Sequence, residues 1–236
     1  MTGKDIQARL WQAADPEDAA VLQRFFKTGP GEYGEGDVFA GVKVPKIRKL
    51  VREVWTAEES VVRSLLASAI HEARLLALLI LVRQFEKGTE ADRARIFRLY
   101  LDSTSRINYW DLVDLSAPNI VGGYLVDRSR RPLYRLAGSK SLWERRIAIL
   151  ATFAFIRRHE FDGTLAIADR LLHDREDLIH KAVGWMLREI GKRDLSVLET
   201  FLQPRLTVMP RTMLRYAIER FPEAKRQNYL RAKSQS

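Results

Sequence analysis

Apolar positions along this chain return every three or four residues, and no stretch alternates apolar and polar among β-branched side chains. The pattern therefore predicts helices throughout and no strand. Helix starts are marked by turn and cap signals at Asp15-Pro16, Val44-Pro45, Thr56, Thr89, Gly163, Asp174, Met209-Pro210 and Phe221-Pro222. Residues 75–82 and 147–156 are apolar almost all round. Helices of that kind need cover on every side, which makes them inner elements of the fold.

A loose internal repeat appears when the most apolar segments are stacked. His71-Glu72-Ala73-Arg74-Leu75-Leu76-Ala77, Leu142-Trp143-Glu144-Arg145-Arg146-Ile147-Ala148 and Leu178-Ile179-His180-Lys181-Ala182-Val183-Gly184 each place a basic residue three before a small one. Pro210-Arg211-Thr212-Met213 opens a further apolar helix in a similar way. The anchors Arg74, Arg145, Lys181 and Arg211 stand 71, 36 and 30 residues apart, and a missing copy would fall near Trp110-Asp111. A period of about 36 residues with two helices per unit predicts an all-α fold, an α-solenoid of HEAT-like repeats. One domain over residues 1–236 is expected, with a concave basic groove that gathers Trp110, Asp114, Arg145, Arg146, Lys181, Trp185 and Arg188.

Charge changes the picture by its distribution. The net charge is +10; residues 1–125 hold 17 basic and 17 acidic side chains, and residues 126–236 hold 23 and 13. The whole excess lies in the second half. A solvated surface would explain it, but recurrence of the basic residues at repeat-equivalent places favours a phosphate-binding face. There is no cysteine, so disulfides, thiolate metal sites and cysteine nucleophiles are excluded. His71, His159, His173 and His180 are scattered, and no metal is expected. Met1-Thr2-Gly3-Lys4-Asp5 begins no signal peptide, and no apolar run approaches the roughly 18 residues of a membrane span. A cytoplasmic protein is expected.

The segment 29–37 interrupts the helices and contains a literal G-x-G-x-x-G. A dinucleotide site needs that motif after a strand and before a helix whose N-terminus meets pyrophosphate. Here it follows a helix and carries Glu32, Glu35 and Asp37, which would repel phosphate. A flexible surface loop is expected instead.

Trp110 and Asp114 are the candidate chemistry. Four residues apart on one helix, they share a face. An indole beside a carboxylate suits a cationic, planar ligand.

These motifs bring a family into view. Trp110-Asp111-Leu112-Val113-Asp114, the segment 142–150 around Arg145-Arg146, and the segment 181–189 around Trp185 resemble the AlkD-type DNA alkylation-repair glycosylases, as do residues 25–50 and 70–85. The likeness covers nearly the whole chain in unchanged order. It implies a HEAT-like repeat protein that cuts the N-glycosidic bond of positively charged N3- and N7-alkylated purines in double-stranded DNA. By motif, Asp114 matches the catalytic carboxylate, Trp110 and Trp185 the tryptophans flanking the lesion, Arg146 an arginine on the adjoining phosphate, and Arg188 a further phosphate contact. The pattern is departed from at Phe25, where a tyrosine lines the lesion cleft, and at Asp177-Leu178, where an aromatic pair stands.

The chemistry asks little of the protein. A cationic purine leaves without a general acid, so the reaction lacks only stabilisation of the oxocarbenium-like sugar and a positioned water. One carboxylate can supply both. Lys181, Arg188, Lys46 and Arg48 are further candidates for the DNA backbone. No lysine stands beside the Trp-Asp pair in sequence, so a monofunctional glycosylase without strand cleavage is expected, acting as a monomer without cofactor. A non-catalytic repeat protein that binds DNA or structured nucleic acid is the alternative; it would need the basic half but not Asp114.

Overall fold

The computed structural model describes residues 3–234; Met1 and Thr2, on which the signal-peptide expectation begins, lie outside the described residues. Among the described residues there is no strand, only an isolated bridge between Val38 and Ile70. The fold is all-α, as the periodicity predicts, and divides into two compact units, residues 1–116 and 117–236.

The first unit runs through α1 (Gly3–Gln12), α2 (Pro16–Phe25), α3 (Val44–Val54), α4 (Glu59–Leu66), α5 (His71–Lys87), α6 (Glu90–Asp102) and α7 (Trp110–Ala117). α5 is its core: every residue from His71 to Leu81 is buried, and α3, α4 and α6 pack against it. α3 shows the complementary pattern, burying Ile47, Val51 and Val54 and exposing Lys46, Arg48, Lys49 and Arg52.

The second unit begins with a π-helical turn at Pro118–Gly122, followed by α8 (Gly123–Leu125), α9 (Arg131–Ala137), α10 (Leu142–Ala151), α11 (Phe153–Ile156) and α12 (Asp162–Arg170). α13 (Asp177–Gly191), α14 (Leu195–Leu202), α15 (Arg211–Ala217) and α16 (Glu223–Ser234) complete it. α10 and α13 are the inner helices here, and α13 packs chiefly on α15.

Gly184 makes the α13–α15 contact possible. A Cβ there would lie 2.5 Å from the Met213 carbonyl oxygen and 2.5 Å from Tyr216 Cβ. Gly184→Ala gains about 1 kcal/mol of helix propensity but must push two packed helices apart, typically about 1–3 kcal/mol. Urea denaturation should report a net loss; a more stable variant would mean the helices separate without cost.

Local signals place several helix starts. Asp15 caps α2 by accepting from the Glu17 and Asp18 amides, and Thr89 with Asp92 forms a reciprocal capping box on α6. Pro45 occupies the first turn of α3, and Pro210 and Pro222 directly precede α15 and α16. Two starts differ: α4 begins at Glu59, three residues past Thr56, and α13 begins at Asp177, three past Asp174. Asp174 still closes the preceding turn, since its carboxylate accepts from the Glu176 amide at 3.0 Å.

The repeat anchors turn out to be brackets. Arg74 and Arg145 are each the fourth residue of an inner helix. Each donates to the carbonyl six residues back, Ser68 for one and Ser139 for the other, and each grips an aspartate from another segment, Asp37 or Asp174, at 2.6 Å. Arg211 donates to the Leu230 carbonyl at 2.7 Å, and Lys181 pairs with Asp177 in its own helix. Arg145 and Arg211 therefore fasten helices, and the periodicity that reveals them is a packing periodicity.

Candidate functional site

α7 carries the proposed chemistry of the first unit. Trp110 opens the helix and Asp114 follows one turn later, both half-buried. The indole lies nearly parallel to the Phe26 ring, 6° between planes and 5.2 Å between centroids. Phe25, 63% exposed, meets Trp110 edge-on at 6.3 Å. Phe26 in turn touches Phe39, His71 and Tyr109, so Trp110 sits at the rim of an aromatic cluster. One face of the indole is backed by Phe26, which fixes its plane.

Asp114 lies near the fully buried Tyr100. Burial pushes the Tyr100 hydroxyl far above its ordinary pKa, and the charge of Asp114 adds to this, while a hydrogen bond with Ser116 at 2.9 Å opposes it.

Behind the aromatic cluster is a set of buried charges. Asp37 takes Arg74 Nη2 at 2.6 Å and His71 Nδ1 at 2.9 Å; His71 Nε2 faces Asp111 at 2.9 Å. Burial alone would raise the Asp37 carboxyl, but the hydrogen bond from His71 and the Arg74 charge outweigh it and hold the pKa below the ordinary value. Glu72, also buried, accepts from three successive amides, Ala40 at 2.9 Å, Gly41 at 2.8 Å and Val42 at 3.1 Å.

The loop 29–37 differs from the expected surface loop at two points. Gly34 is buried where a Cβ would lie 2.5 Å from the Tyr109 ring and 2.8 Å from the Phe26 carbonyl, and Asp37 is only 6% exposed. Glu32 and Glu35 do face out, and each accepts from an amide of the loop itself, Gly29 and Gly31, both at 2.9 Å. Those amides are thus occupied by carboxylates, which agrees with rejecting a phosphate cradle.

Lys46 and Arg48 lie on the exposed side of α3. Lys46 donates to the Ala13 carbonyl at 3.3 Å and lines an open cleft with Arg9, Lys49 and Glu53. Arg48 borders a different shallow cleft with Arg52, Arg83 and Glu86.

In the second unit Trp185, Lys181 and Arg188 share α13. Trp185 is half-buried, 6.3 Å from Phe153, and hydrogen-bonds the Glu189 carboxylate. Burial would raise Glu189, but Lys192, Arg193 and Trp185 together hold it low. Lys181 pairs with Asp177 at 2.7 Å. Arg188 is in close contact with Glu219, and its Nε is buried without a partner. Arg146, expected on a phosphate, is 5% exposed and donates to the Leu178 carbonyl at 2.5 Å, tying α10 to the start of α13.

Sequence reasoning missed Phe26, Asp37, His71, Glu72 and Asp111 as parts of the site. One signal was available: His71, Glu72 and Arg74 are charged or titratable residues opening an otherwise apolar helix, and such residues need buried partners. Their partners lie 30 to 40 residues away and leave no local mark. Among the described residues, no group of histidines and carboxylates is arranged to hold a metal.

A family model described as DNA alkylation repair enzyme matches residues 6–221. No curated protein matches the chain. A solved structure from Enterococcus faecalis, described as a predicted DNA alkylation repair enzyme, is similar at a TM-score of 0.67 and 17% identity, over 89% of this chain and 97% of that one. At that identity the likeness speaks for the fold alone.

Proposed function

Because the chain belongs to the DNA alkylation repair enzyme family, we propose that it is a monofunctional DNA glycosylase that releases positively charged N3- and N7-alkylated purines from duplex DNA. The observation that carries this reading is the half-buried indole of Trp110, held in plane by Phe26, one helical turn from the half-buried carboxylate of Asp114. A structural helix carboxylate would gain nothing from a rigid aromatic plate beside it; a site for a cationic nucleotide needs both.

In the proposed reaction the bond between the sugar C1′ and the purine nitrogen breaks with its electron pair going to the base, which leaves neutral. Asp114 stabilises the positive charge developing on the sugar and orients a water, whose oxygen bonds to C1′ and whose proton passes to the carboxylate or to solvent. Trp110 packs on the cationic nucleotide, the role that the family resemblance also gives Trp185. Cation–π attraction of about 0.5–2 kcal/mol each is lost once the base is neutral, which favours charged lesions over normal bases and helps release product. Phe25, exposed beside Trp110, adds to the cleft.

Lys181, Arg188, Lys46 and Arg48 serve as phosphate contacts in this reading. Arg146 enters it last, because reaching a phosphate would require its guanidinium to leave the Leu178 carbonyl. Each true contact adds about 0.9 to the log–log slope of affinity against salt. The double variant Lys46→Ala, Arg48→Ala should flatten that slope by roughly twice as much; an unchanged slope would remove α3 from the DNA interface. We also read the protein as a cytoplasmic monomer; among the described residues no helix is long and apolar enough to cross a membrane.

The test is release of free base from duplex DNA containing N7-methylguanine. Release without strand cleavage, and without a covalent adduct trapped by borohydride, is expected. Tight DNA binding with no base released would replace this reading by the architectural one, and a trapped adduct would replace the monofunctional mechanism.

A further inference from the structure

The buried charges behind Phe26 take no part in the chemistry just described, yet they adjoin Trp110 by two routes. Asp111 is the next residue in α7, and the Phe26 ring has His71 at 5.3 Å and Trp110 stacked on it at 5.2 Å. His71, 1% exposed, stands between Asp37 Oδ2 and Asp111 Oδ2, each 2.9 Å from a different ring nitrogen.

A neutral imidazole carries one N–H. Its bare nitrogen would then confront a carboxylate lone pair at 2.9 Å, and one of the two contacts would be repulsive. The imidazolium donates to both. Charge counting agrees: Asp37 and Asp111 against Arg74 alone leave one negative charge buried, whereas a protonated His71 brings the cluster to zero. The two carboxylates occupy opposite ends of the ring, so the cluster is a bridge and does not converge on a cation.

We propose that His71 is a positioning residue for base excision: as a buried imidazolium joining Asp37 to Asp111, it pins the first turn of α7 and thereby the indole of Trp110. The role in excision rests on the glycosylase reading; the protonation state and its hold on Trp110 do not.

The surroundings of His71 fit this state. Burial opposes the charge, but Asp111 and Asp37 outweigh it and raise the pKa above its ordinary value. Arg74 faces it through Asp37, and Tyr109 lies edge-on at 5.2 Å with a hydroxyl that burial keeps neutral. Phe39 stacks on the ring at 4.5 Å, and Glu72, next in the helix, is committed to the amides of 40–42. The sign follows: a raised histidine contributes fully below its unfolded value of 6.5 and loses that contribution as pH climbs through the folded value.

The experiment is heteronuclear NMR on the whole chain, following the imidazole nitrogens of His71 and the indole N–H of Trp110 from neutral into alkaline pH. At neutral pH both nitrogens of His71 should carry protons, and the Trp110 resonance should shift in step with His71 titration. Asp111→Asn removes one of the two carboxylates and should lower both midpoints by about one unit or more. Single-turnover release of N7-methylguanine should lose rate along the same alkaline limb, displaced in the same direction in Asp111→Asn. A single-proton tautomer at neutral pH would overturn the bridge, and a titrating His71 with an unmoved Trp110 would overturn its positioning role. If the wild type releases no base at any pH, the glycosylase reading fails by itself, and the NMR arm still decides the bridge in a protein that needs no substitution.

Discussion

Asp114→Asn should slow single-turnover base release by about 100-fold or more, the scale expected for losing an electrostatic or general-base group, while affinity for alkylated duplex DNA stays within a few-fold. Asparagine keeps the size of the side chain and its hydrogen-bonding ends but not its charge, so the ground-state complex survives and the cationic sugar loses its counter-charge. Asp114 also lies near buried Tyr100, and a structural objection must be met. The Tyr100 hydroxyl is neutral with or without that charge, so melting of the variant is to be read beside its rate. A variant that is slow and also unfolds early would assign Asp114 to the fold. A variant with full activity would take it out of the mechanism altogether.

How much of this was legible in the chain depends on the distance over which each feature is set. Helical periodicity and caps are local, and they predict the all-α class and the starts of α2, α3, α6, α12, α15 and α16, but not those of α5, α7 or α10. Thr56 failed as a cap because two more residues of loop precede α4, a choice made by the packing of Val62, Leu65 and Leu66 and not by cap chemistry. The Trp110–Asp114 spacing was legible for the same reason, since one turn of helix fixes it. The repeat was legible too, but its meaning was not: Arg74 and Arg145 each tie the first turn of an inner helix to a carboxylate from elsewhere, whereas Lys181 pairs within its own helix. A sequence shows that a charge opens an apolar helix; it does not show which loop will supply the partner. That is why Asp37 read as a surface acid and is in fact buried against His71 and Arg74. The backing of Trp110 by Phe26 is likewise long-range, joining the end of α2 to the start of α7 across more than 80 residues of chain.

The largest loss of stability is expected from Arg74→Met. Methionine nearly preserves the volume of the aliphatic stem in the α5 core but removes the guanidinium that neutralises Asp37 at 2.6 Å. Breaking one partner out of a buried pair costs about 3–5 kcal/mol, because the other charge stays behind without compensation. His71 alone then holds both Asp37 and Asp111, leaving one negative charge in excess. The pH dependence separates this cause from simple loss of packing. In the wild type the Asp37 pKa is lowered from 3.8, so its contribution is present above that value and disappears as pH falls through the folded one. Without Arg74 the opposing effect of burial is less well countered, the carboxyl titrates at higher pH than in the wild type, and protonation removes the stranded charge. Urea denaturation at neutral pH should therefore show the full deficit, and the same measurement in mild acid a smaller one. A deficit that is the same at both would trace the loss to packing, and one under about 1 kcal/mol at neutral pH, the scale of an exposed ion pair, would show that Asp37 is not held by this bridge.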